Sequence, residues 1–303
     1  MSATQRDVKN RIGSVKNIQK ITRAMEMVAA ARLRRAEQRI EALRPYAGAI
    51  RRMTRQAAEA AGTEISGLPI LAEHESEDAV ALLLVTGDRG LAGAFNSQII
   101  RAGLRAAREY EESGSTVAYS AVGRRGVSTL TFRGKDPVGR YVGFTDRPSY
   151  ADAREIAEGL VAAYVDGKAD RVEIFYNGYI SPLTQEVRHE TLLPLQQATI
   201  LEDTEDGAEE TDEPTGQHAL VEYEPDPEDI LARLVPDYVE ISVYRALLES
   251  TASEHGARMT AMRNASENAG ELIEDLTLEM NRARQAEITQ EIMEVVAGAE
   301  SLT

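Results

Sequence analysis

The segment Val8–Val28, with the sequence VKNRIGSVKNIQKITRAMEMV, decides how this chain is built. Its apolar residues recur at steps of three and four, which is the spacing of an α-helix with one apolar stripe. After a slip of one residue, the same spacing resumes at Leu33 and continues to Ile50. Because proline removes a backbone donor and clashes with the preceding turn, Pro45 predicts a kink or a helix junction. The stripe consists of Val8, Ile12, Val15, Ile18, Ile21, Met25 and Val28.

The C-terminal part of the chain repeats this pattern. No proline occurs after Asp237, and apolar residues again follow helical steps. A long amphipathic helix needs a partner that covers its stripe, and the N-terminal helix is the obvious one. Since the chain must turn back between the two helices, their pairing is predicted to be antiparallel. The apolar last turns, 292–299, either fray or enter a socket in another protein. The second stripe consists of Ile241, Tyr244, Leu248, Met259, Met262, Ala265, Ala269, Leu272, Leu276, Met280 and Ala283.

Charge is distributed unevenly along the chain. The net charge of −16 argues against plain nucleic-acid binding. Residues 1–60 nevertheless hold 14 Lys or Arg against 5 Asp or Glu, a net of +9. Residues 228–303 hold 6 basic and 15 acidic side chains, a net of −9. Two interpretations stay open: two solvated helix faces, or two ends that pair, with charge opposing wrong pairings more than adding stability.

The middle of the chain has the pattern of an α/β domain. A continuously apolar run at Ala79–Thr86 suits a strand that is covered on both faces. Strands that alternate with helices favour a mostly parallel sheet. The remaining predicted elements are strands at Thr116–Val122, Arg171–Tyr176 and Thr184–Thr191 and helices at Ser97–Glu112 and Ala151–Val165.

Three domains are predicted from these patterns. They are an N-terminal helix over residues 1–60, a central α/β domain over 61–226, and a C-terminal helix over 227–303. Residues 202–213 hold eight Asp or Glu and no large apolar residue, which predicts an exposed acidic loop.

Several classes of protein are excluded by composition. The chain has no Cys, so disulfides, thiolate metal sites and Cys nucleophiles are ruled out. Its four His are scattered without the spacing of a helical metal site. The longest apolar run falls far short of the roughly 20 residues that span a bilayer. The Arg-rich N-terminus is expected to belong to the mature protein, because Asp7 and Glu26 interrupt it.

The glycine-rich turn Gly87–Gly93 (GDRGLAG) is the one segment that suggests nucleotide binding. It follows a predicted strand and precedes a predicted helix. Its spacing, however, fits neither the dinucleotide fingerprint nor the Walker loop, so a tight strand-to-helix turn is the better interpretation. No Ser lies in a G-x-S-x-G context, and no residue is assigned as a catalytic group, a cofactor contact or a metal ligand.

The face of the N-terminal helix opposite the apolar stripe carries four arginines: Arg32, Arg34, Arg35 and Arg39. They form a solvated face, a nucleic-acid patch or a docking surface for an acidic protein loop. The nucleic-acid interpretation lacks interleaved aromatic residues and fits poorly with an acidic chain. A docking surface would act through steering and register.

Motifs along nearly the whole chain resemble the gamma subunits of bacterial-type F-type ATP synthases, in the family's order. The chain departs from the family at Ala92 and Ala94, where Cys and Gly often stand, and in the charge of its acidic loop. The motifs are IQKITRAMEMVAA at 18–30, LRR at 33–35, RPY at 44–46, TGDRGL at 86–91, YEPDP at 223–227, ARMTAM at 257–262, NRARQA at 281–286 and ITQEI at 288–292.

The resemblance implies a fold and a mechanical role. The terminal helices would form an antiparallel coiled coil inside a hexamer of alpha and beta subunits, with a central Rossmann-like α/β domain below. That domain would meet the epsilon subunit and the polar loops of the c-ring. Such a subunit is a rotor shaft without a catalytic site or cofactor. It is peripheral, at the cytoplasmic face of the cell inner membrane, with no direct membrane insertion and no nucleic-acid partner.

The resemblance also implies contact residues, where motifs match. The beta-subunit contacts would be Lys20, Arg23, Met25, Arg258, Arg284, Gln285 and Thr289. Tyr223 and Glu224 would meet the c-ring. Two alternative functions stay open at this point: a static coiled-coil scaffold or adaptor, and an α/β nucleotide-binding enzyme with a helical arm.

Overall fold

A computed structural model describes residues 5–61, 70–71, 74, 77–195 and 227–300. The chain divides into two compact units. The coil unit combines Met1–Ala31 with Arg258–Thr303, and the sheet unit is Arg32–Ala257. The helices are α1 (Gln5–Ala61), α2 (Phe95–Ser113), α3 (Arg124–Phe132), α4 (Tyr150–Val165) and α5 (Pro227–Glu300), and the strands are β1 (Ala79–Val85), β2 (Thr116–Val122), β3 (Gly139–Tyr141), β4 (Arg171–Tyr179) and β5 (Gln185–Leu193).

The coil unit is an antiparallel pair of helices, as predicted. Near its start α1 places Val8 and Ile12 against Leu276 of α5. Further along α1, the Gln19 amide donates a hydrogen bond to the carbonyl of Ser266 at 3.3 Å. Contacts later in α1 therefore meet earlier positions in α5, which defines the antiparallel direction.

The buried seam of α1 differs from the predicted stripe. The seam contains four buried residues and three half-buried ones. Val8, Ile12, Thr22 and Ala29 are buried, and Val15, Gln19 and Glu26 between them are half-buried. These positions follow steps of four and three without a slip, which is the seven-residue repeat of a coiled coil. The predicted stripe is therefore wrong in its middle: Ile18, Ile21 and Val28 are more than half exposed and Met25 is half-buried. The seam is polar there, at Gln19 and Thr22, and the more hydrophobic residues lie on the neighbouring flank. A prediction from hydrophobicity therefore selects the flank instead of the seam.

The second helix shows one similar shift. Met259, Met262, Ala269 and Leu276 of the predicted stripe are buried. Leu272, by contrast, is 43% exposed, and Ile273 packs in its place beside Leu276. The seam of α5 thus keeps the same seven-residue repeat as the seam of α1.

The sheet unit contains a five-stranded sheet in the order β3-β2-β1-β4-β5. Strands β1 to β4 are parallel, and β5 pairs antiparallel with β4. The four predicted strands and two predicted helices are present, with ends that differ by at most three residues. The sequence patterns missed α3 and β3, because nine and three residues are too short to show a clear period.

The sheet is covered on both faces, which explains the continuously apolar β1. One face packs on α4 and on Val239, Val243 and Leu247 of α5. The other face packs on α2 and α3, with Ile99 and Leu130 buried in that layer. Helix α4 begins with a capping box, in which Ser149 and Asp152 bond each other's backbone N–H groups.

Helix α1 runs through Pro45 without interruption, so the predicted helix junction does not form. Ala47 and Ile50, one turn beyond the proline, pack on Leu234 and Ile241 of α5. This packing holds the turns after Pro45 in place although one backbone hydrogen bond is lost. Within the described residues, no helix is long and apolar enough to cross a membrane.

Candidate partner-contact surfaces

Helix α1 presents two different flanks beside its seam in the coil unit. One flank is apolar: Ile18 and Ile21 are 54% and 58% exposed, and Val28 is 53% exposed. Of the predicted contact residues, Met25 belongs to this flank. We call Ile18, Ile21, Met25 and Val28 the apolar flank. Apolar side chains that share one exposed face mark an interaction surface.

The opposite flank of α1 is basic. Lys16, Lys20 and Arg23 are exposed and follow steps of four and three, so they share one helix face. Their side chains make no hydrogen bond or ion pair with other described residues. We call these three residues the basic flank. The structure therefore brings Lys20 and Arg23 together but places Met25 on the other side of the seam.

The predicted contact residues of α5 fall into two environments. Arg284, Gln285 and Thr289 are exposed on successive turns, and the Thr289 hydroxyl donates to the Gln285 carbonyl at 2.9 Å. Arg258 is instead only 8% exposed and lies seven turns earlier in the helix. Arg258 interacts with other residues of this chain, whereas the other three side chains are exposed to solvent.

The last turns of α5 form a second exposed apolar surface in the coil unit. All described side chains from Arg284 to Ala297 are exposed. The apolar ones among them are Ile288, Ile292, Met293, Val295 and Val296, at 45% to 71% exposure. A helix end that presents five large apolar side chains to solvent is typical of a segment covered by another protein.

Asp88, in the glycine-rich turn of the sheet unit, acts as a structural anchor. Its Oδ1 accepts a hydrogen bond from the backbone N–H of Arg124 at 3.1 Å. Its Oδ2 accepts from the N–H of Gly143 at 2.9 Å and from the N–H and hydroxyl of Thr145. Burial opposes ionisation, but these hydrogen bonds outweigh it and hold the pKa of Asp88 below its usual value. The carboxylate thus joins the start of α3 to the loop after β3.

The same turn has no room for a nucleotide phosphate. Open α/β sheets bind ligands outside the carboxyl ends of their parallel strands. Here a Cβ on Gly87 would lie 2.8 Å from the carboxylate of Glu254, a residue that is 2% exposed. The Gly87 N–H already donates to the Asn96 side chain at 2.8 Å. A phosphate at this edge would meet Asp88 and Glu254, so the turn does not support the nucleotide-binding hypothesis.

Three of the four arginines that follow the N-terminal stripe line a cavity in the sheet unit. Arg32, Arg35 and Arg39 face it together with Arg147, and its volume is about 440 Å³. Asp146 forms ion pairs with Arg32 at 2.7 Å and with Arg89 at 3.0 Å. The arginine face is therefore partly concave and only partly neutralised, which favours the docking interpretation over a plain solvated face.

Some predicted sites lie outside the described residues. These are the c-ring contacts Tyr223 and Glu224 and the acidic loop 202–213. Within the part of the chain that is described, no three His, Asp or Glu side chains are grouped as metal ligands.

Comparisons with known proteins show which chains this one is similar to. Residues 4–302 match the family model described as ATP synthase. The ATP synthase gamma chain of Rubrobacter xylanophilus is 44% identical, over 99% of this chain and 99% of its own length. That of Streptomyces coelicolor is also 44% identical, over 100% of this chain and 97% of its own.

Solved structures agree with these relatives. A chain of the Tetrahymena thermophila mitochondrial ATP synthase central stalk and c-ring is similar, with 26% identity and a TM-score of 0.59, over 81% of this chain and 99% of that one. A chain of the Euglena gracilis mitochondrial ATP synthase has the same fold at 19% identity, with a TM-score of 0.66 over 98% and 94% of the two chains.

Proposed function

This chain belongs to the ATP synthase gamma-chain family, and we propose that it is the central rotor shaft of an F-type, proton-translocating ATP synthase. In this role it transmits rotation of the c-ring to the beta subunits and drives their conformational cycle. The gamma chain is a non-catalytic subunit of the complex.

One observation supports this function beyond family membership. A coiled coil that served only to hold itself together would need no apolar surface outside its seam. In the coil unit, the apolar flank of α1 and the last turns of α5 both remain exposed. These surfaces suit a shaft that is surrounded by other subunits, here the alternating alpha and beta subunits of the hexamer.

The two flanks of α1 suggest how rotation is coupled to conformational change. A shaft with an apolar flank on one side and a basic flank on the other presents different surfaces to three identical beta subunits. Each shaft angle then stabilises a different conformation in each beta subunit, which is a coupling between binding equilibria. We assign Lys20 and Arg23 to the basic contact, Met25 to the apolar contact, and Arg284, Gln285 and Thr289 to the upper contact on α5.

Two further assignments complete the proposal. Arg258 is also assigned to the beta contact, and its burial means that it acts there through the packing of the coil. Tyr223 and Glu224 are assigned to the polar loops of the c-ring, and the epsilon subunit is expected beside the same domain. The protein would then lie at the cytoplasmic face of the cell inner membrane, peripheral to it.

Single-molecule rotation tests the function directly. The chain has no Cys, so Gly207→Cys supplies one labelling position in the acidic loop. The labelled chain is assembled with alpha and beta subunits on a surface, and ATP is added. We expect stepwise rotation in one direction. A stable complex with a static label would instead indicate an adaptor, and failure to assemble with competent controls would reopen the enzyme hypothesis.

A further inference from the structure

We propose that the groove between α2 and α3 binds a small anion with two or more phosphate groups, such as a nucleoside polyphosphate. The groove lies within the sheet unit and has a volume of about 410 Å³, which is in the range of small-molecule sites. The groove borders the glycine-rich turn at Gly90, but neither Asp88 nor Glu254 lines it. Its charged lining consists of Arg101, Arg105, Arg108, Arg125 and Arg133.

The five arginines converge on the groove from two helices. Arg101, Arg105 and Arg108 follow steps of four and three on α2, so they share one face and extend over about 10 Å of helix. Arg125 and Arg133 reach the groove from α3. Two walls of guanidinium groups suit a chain of phosphates, because each guanidinium can bind two phosphate oxygens at once.

None of these guanidinium groups is neutralised within the described part of the chain. They make no ion pair or side-chain hydrogen bond with described residues, and no Asp or Glu lines the groove. Two other exposed arginines of the sheet unit are paired, by contrast: Arg140 lies 2.6 Å from Asp136, and Arg154 lies 2.9 Å from Glu158. A concave cluster of five unpaired cations in a chain of net charge −16 is the arrangement that an anion would stabilise.

Two local features give the groove a defined end and floor. The first turn of α2 lies beside the groove and contributes Asn96 and Ser97 to its lining. That turn has no acidic residue and no side-chain cap, so the positive end of the helix adds to the electrostatic field in the groove. Ile100 and Leu104 provide an apolar floor for a base or another flat group.

The position of Arg125 is set by the backbone. A Cβ on Gly90 would lie 2.6 Å from Nη2 of Arg125, so the guanidinium packs directly over a residue that has no side chain. This packing limits the conformations that Arg125 can adopt, which lowers the entropy that ligand binding costs.

Calorimetric titration of the full chain with sodium tripolyphosphate and with ATP tests the proposal. We expect saturable binding that weakens as salt increases. Arg105→Gln and Arg125→Gln should each raise Kd about tenfold, the effect of one lost charge-assisted contact. Arg105→Lys keeps the charge but loses the two-pronged contact, so its Kd should fall between those of wild type and Arg105→Gln. Because the arginines are exposed and unpaired, thermal unfolding should not change.

The control is Arg154→Gln, which removes the same charge from an exposed position on α4 and should leave Kd unchanged. Absence of binding at millimolar tripolyphosphate, or equal loss of binding in the control, would overturn the proposal. Vesicles that contain phosphatidylglycerol probe a lipid source of the same chemistry. Arginine-dependent binding to vesicles without any binding of tripolyphosphate would also overturn it.

Discussion

Asp88 shows how one side chain can replace a ligand. At the carboxyl end of β1, where open α/β sheets commonly bind ligands, the Asp88 carboxylate accepts hydrogen bonds from the N–H groups at the start of α3 and in the loop after β3. The glycine-rich turn that suggests nucleotide binding in the sequence is therefore a structural joint. The hydrogen bonds at this turn are accepted by an ionised carboxylate, so their strength depends on the pH at which Asp88 is protonated.

Asp88→Asn should lower the free energy of unfolding at pH 7 by about 1–3 kcal/mol, because an amide cannot accept at both former oxygen positions. The pKa of Asp88 is lowered by folding, so its contribution is present above the unfolded pKa of about 4 and is lost as pH falls through the folded pKa. Thermal unfolding of both proteins between pH 7 and pH 3 measures the difference, which should shrink in acid.

The control for Asp88 is Asp166→Asn, an exposed carboxylate that lies 2.9 Å from Lys168. Its effect on stability should stay within about 0.5 kcal/mol, as for other surface positions. Equal effects of the two substitutions would contradict the structural role of Asp88.

Arg284 and Gln285 test the contact assignments at the level of single residues. Both are exposed, so replacing both with Ala should leave the isolated chain folded. ATP synthesis by the assembled complex should fall about fivefold if the pair contributes about 1 kcal/mol to coupling. Asn281→Ala with Arg282→Ala is the control, since it also removes one arginine and one side-chain amide, from exposed positions about one turn earlier. Normal synthesis rates in the test variant would remove Arg284 and Gln285 from the contact.

At the scale of elements, the two helices of the coil unit are held together by a mixed seam. Apolar contacts at Val8, Ile12 and Leu276 alternate with polar ones such as the Gln19 amide on the Ser266 carbonyl. Polar seam positions lower stability but specify the register. Because the polar positions favour one register, they oppose sliding of the two helices along each other, which a shaft that transmits torque requires.

Two neighbouring leucines of α5 separate the seam from the outer surface. Leu276 is 3% exposed and packs on Val8 and Ile12, whereas Leu278 is 58% exposed. Leu276→Ala should lower the free energy of unfolding by about 2–5 kcal/mol, because it leaves a cavity in the seam. Leu278→Ala should change it by less than about 0.5 kcal/mol. Urea unfolding of the isolated chain measures both values, and equal losses would mean that the seam has another register.

The two ends of the chain have opposite net charges, but the basic residues of α1 do not simply pair with the acidic residues of α5. Across the coil, Arg263 Nε lies 3.0 Å from Glu26 Oε1, so the base comes from the acidic segment and the acid from the basic one. The basic flank of α1 stays unpaired among the described residues. The positive charge of α1 is therefore available to other subunits, which agrees with the docking interpretation of its arginines.

At the scale of the whole molecule, a rotor and an adaptor differ in their tolerance of covalent links. Gln19→Cys with Ser266→Cys, joined by a short bismaleimide, links two positions inside the shaft. Lys20→Cys, joined to a cysteine in a beta subunit, links the shaft to its surroundings. We expect the first link to leave ATP hydrolysis by the complex unchanged and the second to stop it. Continued turnover with the second link would indicate an adaptor.

The sequence by itself determined the two terminal helices, their antiparallel pairing and the alternating α/β middle. Helical and strand periods are properties of short stretches of chain, so they can be recognised without a partner. The motifs around Lys20 and Arg284 are also short contiguous stretches, so the family resemblance could be recognised from the sequence.

Only the tertiary structure decided which flank of each helix is buried. The seam at Gln19 and Thr22 is polar, so its burial depends on the partner helix, and the more hydrophobic Ile18 and Ile21 remain outside. The hydrogen bonds of Asp88 and the convergence of five arginines on one groove could not be read from the sequence for the same reason. Their neighbours are separated from them along the chain and come together only when the sheet and its helices have packed.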